Sequence, residues 1–185
     1  MTPNEYQTMA ARTLIDAPDF EPTATDRAVV ELTIAAAGTF GEIAEYVKKG
    51  LFHQHGYSIK TLLEKLSDYR EDVWRGSFFD GPIPPVWNTR STMMFWNVIG
   101  LVGEAGEIAG TVLAGVQENQ ATDREKLKKE LGDCLWYVAA LCTKADLSLE
   151  DVMRTNIEKL RTRYPDGYSS EASKKRVDVE NNLLV

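Results

Sequence analysis

Apolar residues in this chain recur at spacings of three and four, not two, so nearly all of it reads as helix and strand signals are almost absent. The period predicts a short helix over about residues 4–14, then a link through Pro18 and Pro22. A long helix follows from about Thr25 to Leu51, ended or interrupted at FHQHG (Phe52–Gly56), and Ser58 opens another that reaches about Trp74. The stretch GSFFDGPIPPVWNTRS (Gly76–Ser91) holds three of the seven prolines and has no period, which makes it a loop. Helical spacing resumes over about 92–116. Thr122 with Glu125 predicts a capping box for a helix to about Lys144. Ser148 is expected to cap a last helix over about 148–163, stopped by Pro165 and Gly167. Residues 174–185 are charged and aperiodic and are expected to be loosely held. The expected fold class is all-α, with a single domain over residues 1–173.

A shift of 65 residues aligns 34–68 with 99–133 without a gap and with 11 of 35 positions identical, Gly38/Gly103, Gly41/Gly106, Glu42/Glu107, Gly50/Gly115 and Asp68/Asp133 among them. Chance would give about two or three, a baseline that shared helical periodicity raises. The match reads as a duplicated helix hairpin, about 28–75 and about 92–144. The copies differ at their acids. Glu104, Glu107, Glu130 and Asp133 in the second correspond to Thr39, Glu42, Lys65 and Asp68 in the first, so one set is complete and one is broken. Packed on each other, the copies would make a four-helix bundle within one chain.

Charge narrows the partners. A net charge of −7 argues against a surface that coats a nucleic acid polymer. A small phosphorylated ligand stays open, because a bound metal can supply the missing positive charge. Cys134 and Cys142, eight apart in an apolar helical pattern, read as buried free thiols of a reducing compartment. No charged-then-apolar leader appears at the N-terminus, and no apolar run reaches the roughly 18 residues of a membrane span. The expectation is a cytoplasmic protein with no membrane partner.

Residues three apart on a helix share a face, so Glu104 and Glu107 project together, as do Glu130 and Asp133. A turn around 118–122 makes their helices antiparallel neighbours, and the pairs then face each other. Gly103 and Gly106 reduce bulk beside the acids, which suggests close helix approach or ligand access. Most glutamate pairs on amphipathic helices are solvated surface acids. These are flanked by Ile99, Leu101, Val102 and Ile108 on one side and by Leu131, Cys134, Leu135 and Trp136 on the other, which favours the inward reading. Convergent carboxylates must take up protons or hold cations, and an all-oxygen set suits Mg²⁺ or Mn²⁺. A di-iron bundle would need Glu-x-x-His on two helices, and neither His53 nor His55 is so placed.

GEAGE followed 23 residues after Glu107 by ELGDCLWY resembles the E-E-x-x-E…E-x-x-D signature of the MazG-like all-α nucleotide pyrophosphohydrolases, with Gly103 in place of the first acid. The resemblance extends over NEYQTMAARTL at the start and LSLEDVMRTNIEKLRTRYPDGYSSEAS near the end, covering most of 4–14 and 93–173. It implies a four-helix-bundle core with an inserted hairpin. The activity it implies is Mg²⁺- or Mn²⁺-dependent conversion of a (d)NTP to (d)NMP and pyrophosphate. Glu104, Glu107, Glu130 and Asp133 would hold two or three ions, with Glu104 or Glu107 doubling as base. Asn156 and Lys159 match the family's N-x-x-K and would reach the phosphates, with Arg163 and Tyr168 as weaker candidates. KKGLFHQHG resembles the segment that normally follows GEAGE, which brings in Lys48, although here it follows the broken copy. Trp96, like Trp87, is a candidate for stacking on a base. The family forms dimers and tetramers, so a homo-oligomer is expected. Two alternatives stand beside this reading: a non-catalytic nucleotide-binding subunit, and a related all-α phosphohydrolase with another nucleotide substrate.

Overall fold

The computed structural model describes residues 1–14, 23–52, 56, 58–74, 89–176 and 178. They form seven helices and no strand, so the all-α expectation holds for them. The helices are α1 (Pro3–Ala11), α2 (Ala24–Phe52), α3 (Ile59–Trp74), α4 (Thr89–Gln117), α5 (Arg124–Lys144), α6 (Leu149–Arg163) and α7 (Ser170–Lys175). The Pro18–Pro22 link, His53, His55, Trp87 and most of the expected 76–91 loop lie outside the described residues.

Local chemistry sets the starts. Thr2 and Glu5 close a reciprocal capping box with Pro3 in the first turn of α1. Thr23 and Asp26 exchange bonds in the same way ahead of α2. The cap of α5 differs from expectation. Asp123, not Thr122, is the N-cap, and its carboxylate accepts from the backbone N–H groups of Glu125 and Lys126. The turn before it holds Asn119 in the left-handed region, φ 50°, and returns the Gln120 N–H to the Gly115 carbonyl. It also brings the Thr122 backbone within 3.2 Å of where a Cβ on Gly115 would stand.

The 65-residue offset found in the sequence recurs in the element boundaries. Helices α2 and α4 are each 29 residues long and begin at 24 and 89, while α3 and α5 begin at 59 and 124. Their leading turns match too. Ser58 Oγ accepts from the Thr61 N–H as Asp123 accepts from the Lys126 N–H, at equivalent positions.

The chain divides into two compact units. The first comprises Met1–Ala37 and Phe78–Leu149. In it, α4 and α5 form an antiparallel hairpin and α1 packs along α5. Ala10, Ala139, Cys142 and Leu149 make its small core, with Tyr6, Trp136 and Val138 packed against them. Polar bonds fasten α1 there. Trp136 Nε1 donates to Thr13 Oγ1 at 2.8 Å, and Gln7 both donates to the Leu147 carbonyl and accepts from the Leu149 N–H. Cys142 is buried as expected, whereas Cys134 is only half-buried; both are free thiols.

The second unit comprises Gly38–Ser77 and Glu150–Val185. Here Arg163, the last residue of α6, donates from Nε and Nη2 to the two carboxylate oxygens of Asp178 at 2.7 and 2.5 Å. Both partners are largely buried, 17% and 6% exposed at the side chain. Asp178, within the stretch expected to be loosely held, is therefore firmly paired.

Helix α4 is long and apolar enough, by length and composition, to cross a membrane. Its valines, isoleucines, leucines and alanines raise its apolar average around only two acids, and in this structure it packs along α5.

Candidate functional site

The close contact between α4 and α5 fixes where their acids meet. At one end a Cβ on Gly100 would fall 2.2 Å from the Tyr137 ring, and at the other Gly115 lies against Thr122. Between these points Glu104, Glu107 and Glu130 converge, each offering a carboxylate oxygen within 4.8 Å of the others. The cluster joins i and i+3 on α4 to one residue of α5, as the spacing predicts. Glu130 is almost buried at 9% exposure, Glu104 is half-buried and Glu107 is exposed, so the group opens to solvent on one side.

Asp133 stands outside this tight trio on an exposed position of α5. Its charge still acts there. Burial pushes the Glu104 carboxyl above the usual carboxylate range, and Asp133, then Glu107 and Glu130, push it further. The same field reaches groups that apolar patterning conceals. Burial raises the Tyr137 hydroxyl and the Cys134 thiol, with Glu104 and Asp133 adding to each. Burial and then Asp133 raise Tyr6, whose hydroxyl donates to the Gly132 carbonyl at 3.4 Å. Tyr6 and Tyr137 thus border the site without any signal in the sequence beyond their helical period.

The donor set fits a hard divalent cation. It is all oxygen, it carries excess negative charge, and its least exposed member has no lysine or arginine bonded to it among the described ion pairs. An Mg²⁺ shell of about 2.1 Å radius spans about 4.2 Å between opposite oxygens, so small side-chain rotations bring the trio onto one ion. Gly103 and Gly106 do not serve helix approach: a Cβ at either would meet nothing within 4 Å. Close approach belongs to Gly100 and Gly115. The open space beside Gly103 and Gly106 leaves access to the acids.

The other expected residues are placed as follows. Trp96 lies on α4 with 42% of its surface exposed. In the second unit, Asn156 and Lys159 are exposed and three apart on α6. Arg163 is engaged by Asp178, a partner that no pattern in the chain foretells. Tyr168 is exposed with its ring 5.5 Å from that of Tyr164, and Lys48 pairs with Glu45.

Comparison with known proteins adds to this geometry. Residues 96–168 match the profile of the MazG nucleotide pyrophosphohydrolase domain, from within α4 through α6. The chain is 41% identical over 73 residues to the gene 37 protein of Mycobacterium phage L5, covering 37% of this chain and 64% of that protein. It is 30% identical over 93 residues to dCTP pyrophosphatase 1 of Rattus norvegicus, covering 47% and 55%. It is 34% identical over 73 residues to the uncharacterized protein YvdC of Bacillus subtilis (strain 168), covering 35% and 69%. The chain thus spans less than two thirds of the length of the first two. No solved structure matches it.

Proposed function

Because this chain belongs to the family of MazG nucleotide pyrophosphohydrolase domains, we propose that it is a metal-dependent hydrolase converting a (d)NTP to (d)NMP and pyrophosphate, in control of the nucleotide pool. The observation that carries the reading is the convergence of Glu104, Glu107 and Glu130, with Asp133 as a fourth acid beside them. Mg²⁺ or Mn²⁺ ions held there, two or three of them, supply the positive charge that a triphosphate needs in a chain of net charge −7.

The protein's own groups do the rest. Water adds at the α–β anhydride, the bridging P–O bond breaks, pyrophosphate leaves, and a glutamate takes the water's proton. We assign that role to Glu104 or Glu107, which stand three apart on α4 within the cluster. We assign Asn156 and Lys159 to the phosphates, with Arg163, Tyr168 and Lys48 as lesser contributors and Trp96 as a stacking surface. We assign the protein to the cytoplasm, and to a homo-oligomer of two or four chains. Apolar residues left exposed on α4, α5 and α6, such as Leu113, Leu135 and Ile157, support assembly.

The test is a screen of canonical and modified (d)NTPs with product identification, dCTP included in view of the rat relative's name. Monophosphate and pyrophosphate should form only with Mg²⁺ or Mn²⁺. Glu107→Gln should lower kcat by on the order of 100-fold or more, equivalent to about 2.7 kcal/mol. Orthophosphate as product, or full turnover in Glu107→Gln, would rule the reading out.

A further inference from the structure

The first hairpin copy poses its own question: what balances Glu42 where the second copy is built to hold a metal? Glu42 is the equivalent of Glu107 and Lys65 that of Glu130, each pair 23 residues apart across its hairpin. In α4–α5 the two equivalent positions bring carboxylates together. In α2–α3 they bring a carboxylate and an ammonium together, with Lys65 Nζ 3.3 Å from Glu42 Oε2. The shared helix starts, at 24 and 89 and at 59 and 124, make this a correspondence of structure as well as of sequence.

The surroundings carry the same signature. An open groove of about 430 Å³ adjoins the pair, lined by Gly41, Glu42, Glu45, Tyr46, Lys49 and Lys65. Glu45, Tyr46 and Lys49 stand where the second copy has Gly110, Thr111 and Ala114. Lys49 bonds Glu45 at 3.2 Å and Lys48 pairs with the same carboxylate, so both carboxylates lining the groove face lysine. Tyr46 accepts from the Ser58 N–H, whereas the Thr111 hydroxyl at its equivalent is buried without a partner. Among the described residues lining the groove two carboxylates meet two lysines, without the excess negative charge that draws a divalent ion.

We propose that Lys65 is a resident cation: its ammonium stands in α2–α3 where the divalent ion stands in α4–α5, so the first hairpin is permanently charge-balanced and binds no metal. The inference rests on the reading of Glu104, Glu107 and Glu130 as a metal site. An ammonium on a flexible stem can take that place because it is a compact point charge with three donors. Each chain then carries one metal centre, and the first hairpin keeps its arrangement whether or not metal is present.

The test counts Mn²⁺ bound per full-length chain from the loss of the free-ion EPR signal. Lys65→Glu restores an acid at the position equivalent to Glu130 and should gain a further bound ion over wild type. That gain should persist when Glu107→Gln is added. In the wild-type background Glu107→Gln should abolish Mn²⁺ binding, and adding Glu42→Gln should change nothing more. A folded Lys65→Glu protein with no extra ion overturns the proposal. So does Mn²⁺ that survives Glu107→Gln and disappears with Glu42→Gln, a comparison that stands even if Lys65→Glu does not fold. Wild-type binding indifferent to Glu107→Gln would sink the α4–α5 site instead, and the gain in Lys65→Glu would still report on Lys65.

Discussion

Gly100 and Gly103, one turn apart on α4, answer to different constraints. A methyl on Gly100 would collide with the Tyr137 ring, whereas one on Gly103 would stand in open space. Gly100→Ala should destabilise the protein by about 1–3 kcal/mol through overpacking. Gly103→Ala should stabilise it by up to about 1 kcal/mol through helix propensity. Urea unfolding of both variants checks the pair, and equal shifts would contradict the close approach of α4 and α5 at Gly100. The sequence marks both as glycines in a helix but cannot say which one faces a neighbour, because that depends on a residue 37 positions away. The acids were easier to read. Glu104, Glu107 and Glu130 announce themselves by a three-residue spacing set among apolar neighbours. Tyr137 and Tyr6 stayed hidden because an aromatic in an apolar period looks like core whether or not it borders a site.

At the level of elements, the helices follow their hydrophobic period closely, and the departures lie at their ends. Both Thr122 and Asp123 are residues that cap helices, and the T-x-x-E pattern favours the first. The structure selects the second, in a turn where the Thr122 backbone lies against Gly115 and Asp123 meets the free N–H groups of α5. Asp123→Ala should therefore cost about 1 kcal/mol and Thr122→Ala less. For a chain of this size that is a fall of about 2–4 °C in Tm, read by calorimetry. Equal losses in the two variants would restore the capping box. The six-residue α7 was not legible at all, since one and a half turns are too short to show a period. The 65-residue correspondence, by contrast, is legible in the sequence because it shows as identities at glycines and acids.

For the molecule as a whole, the pair between Arg163 and Asp178 ties the segment beyond α7 to the end of α6. The Arg163 guanidinium holds the Asp178 carboxyl below the usual carboxylate range. A depressed folded pKa contributes stability that is fully present above the unfolded value, about 3.9, and is lost as pH falls through the folded value. Tm should accordingly fall on acidification below about pH 4, and Asp178→Asn should lower Tm at neutral pH while flattening that acid slope. Matching Tm profiles for the two proteins between pH 7 and pH 3 would show that the pair contributes nothing. No pattern in the RVDVE segment foretells this contact, because it is made by one residue across a turn and leaves no repeat behind. It also changes what Arg163 can offer a ligand. Asp178 is a tethered competitor, present at an effective concentration in the millimolar range or higher for so short a connection. An incoming phosphate must displace this carboxylate to take the Nε and Nη2 fork of the guanidinium. Affinity drawn from Arg163 is thus a difference between two anions, and shortening the chain before Asp178 would retune it without altering a residue of the acidic cluster.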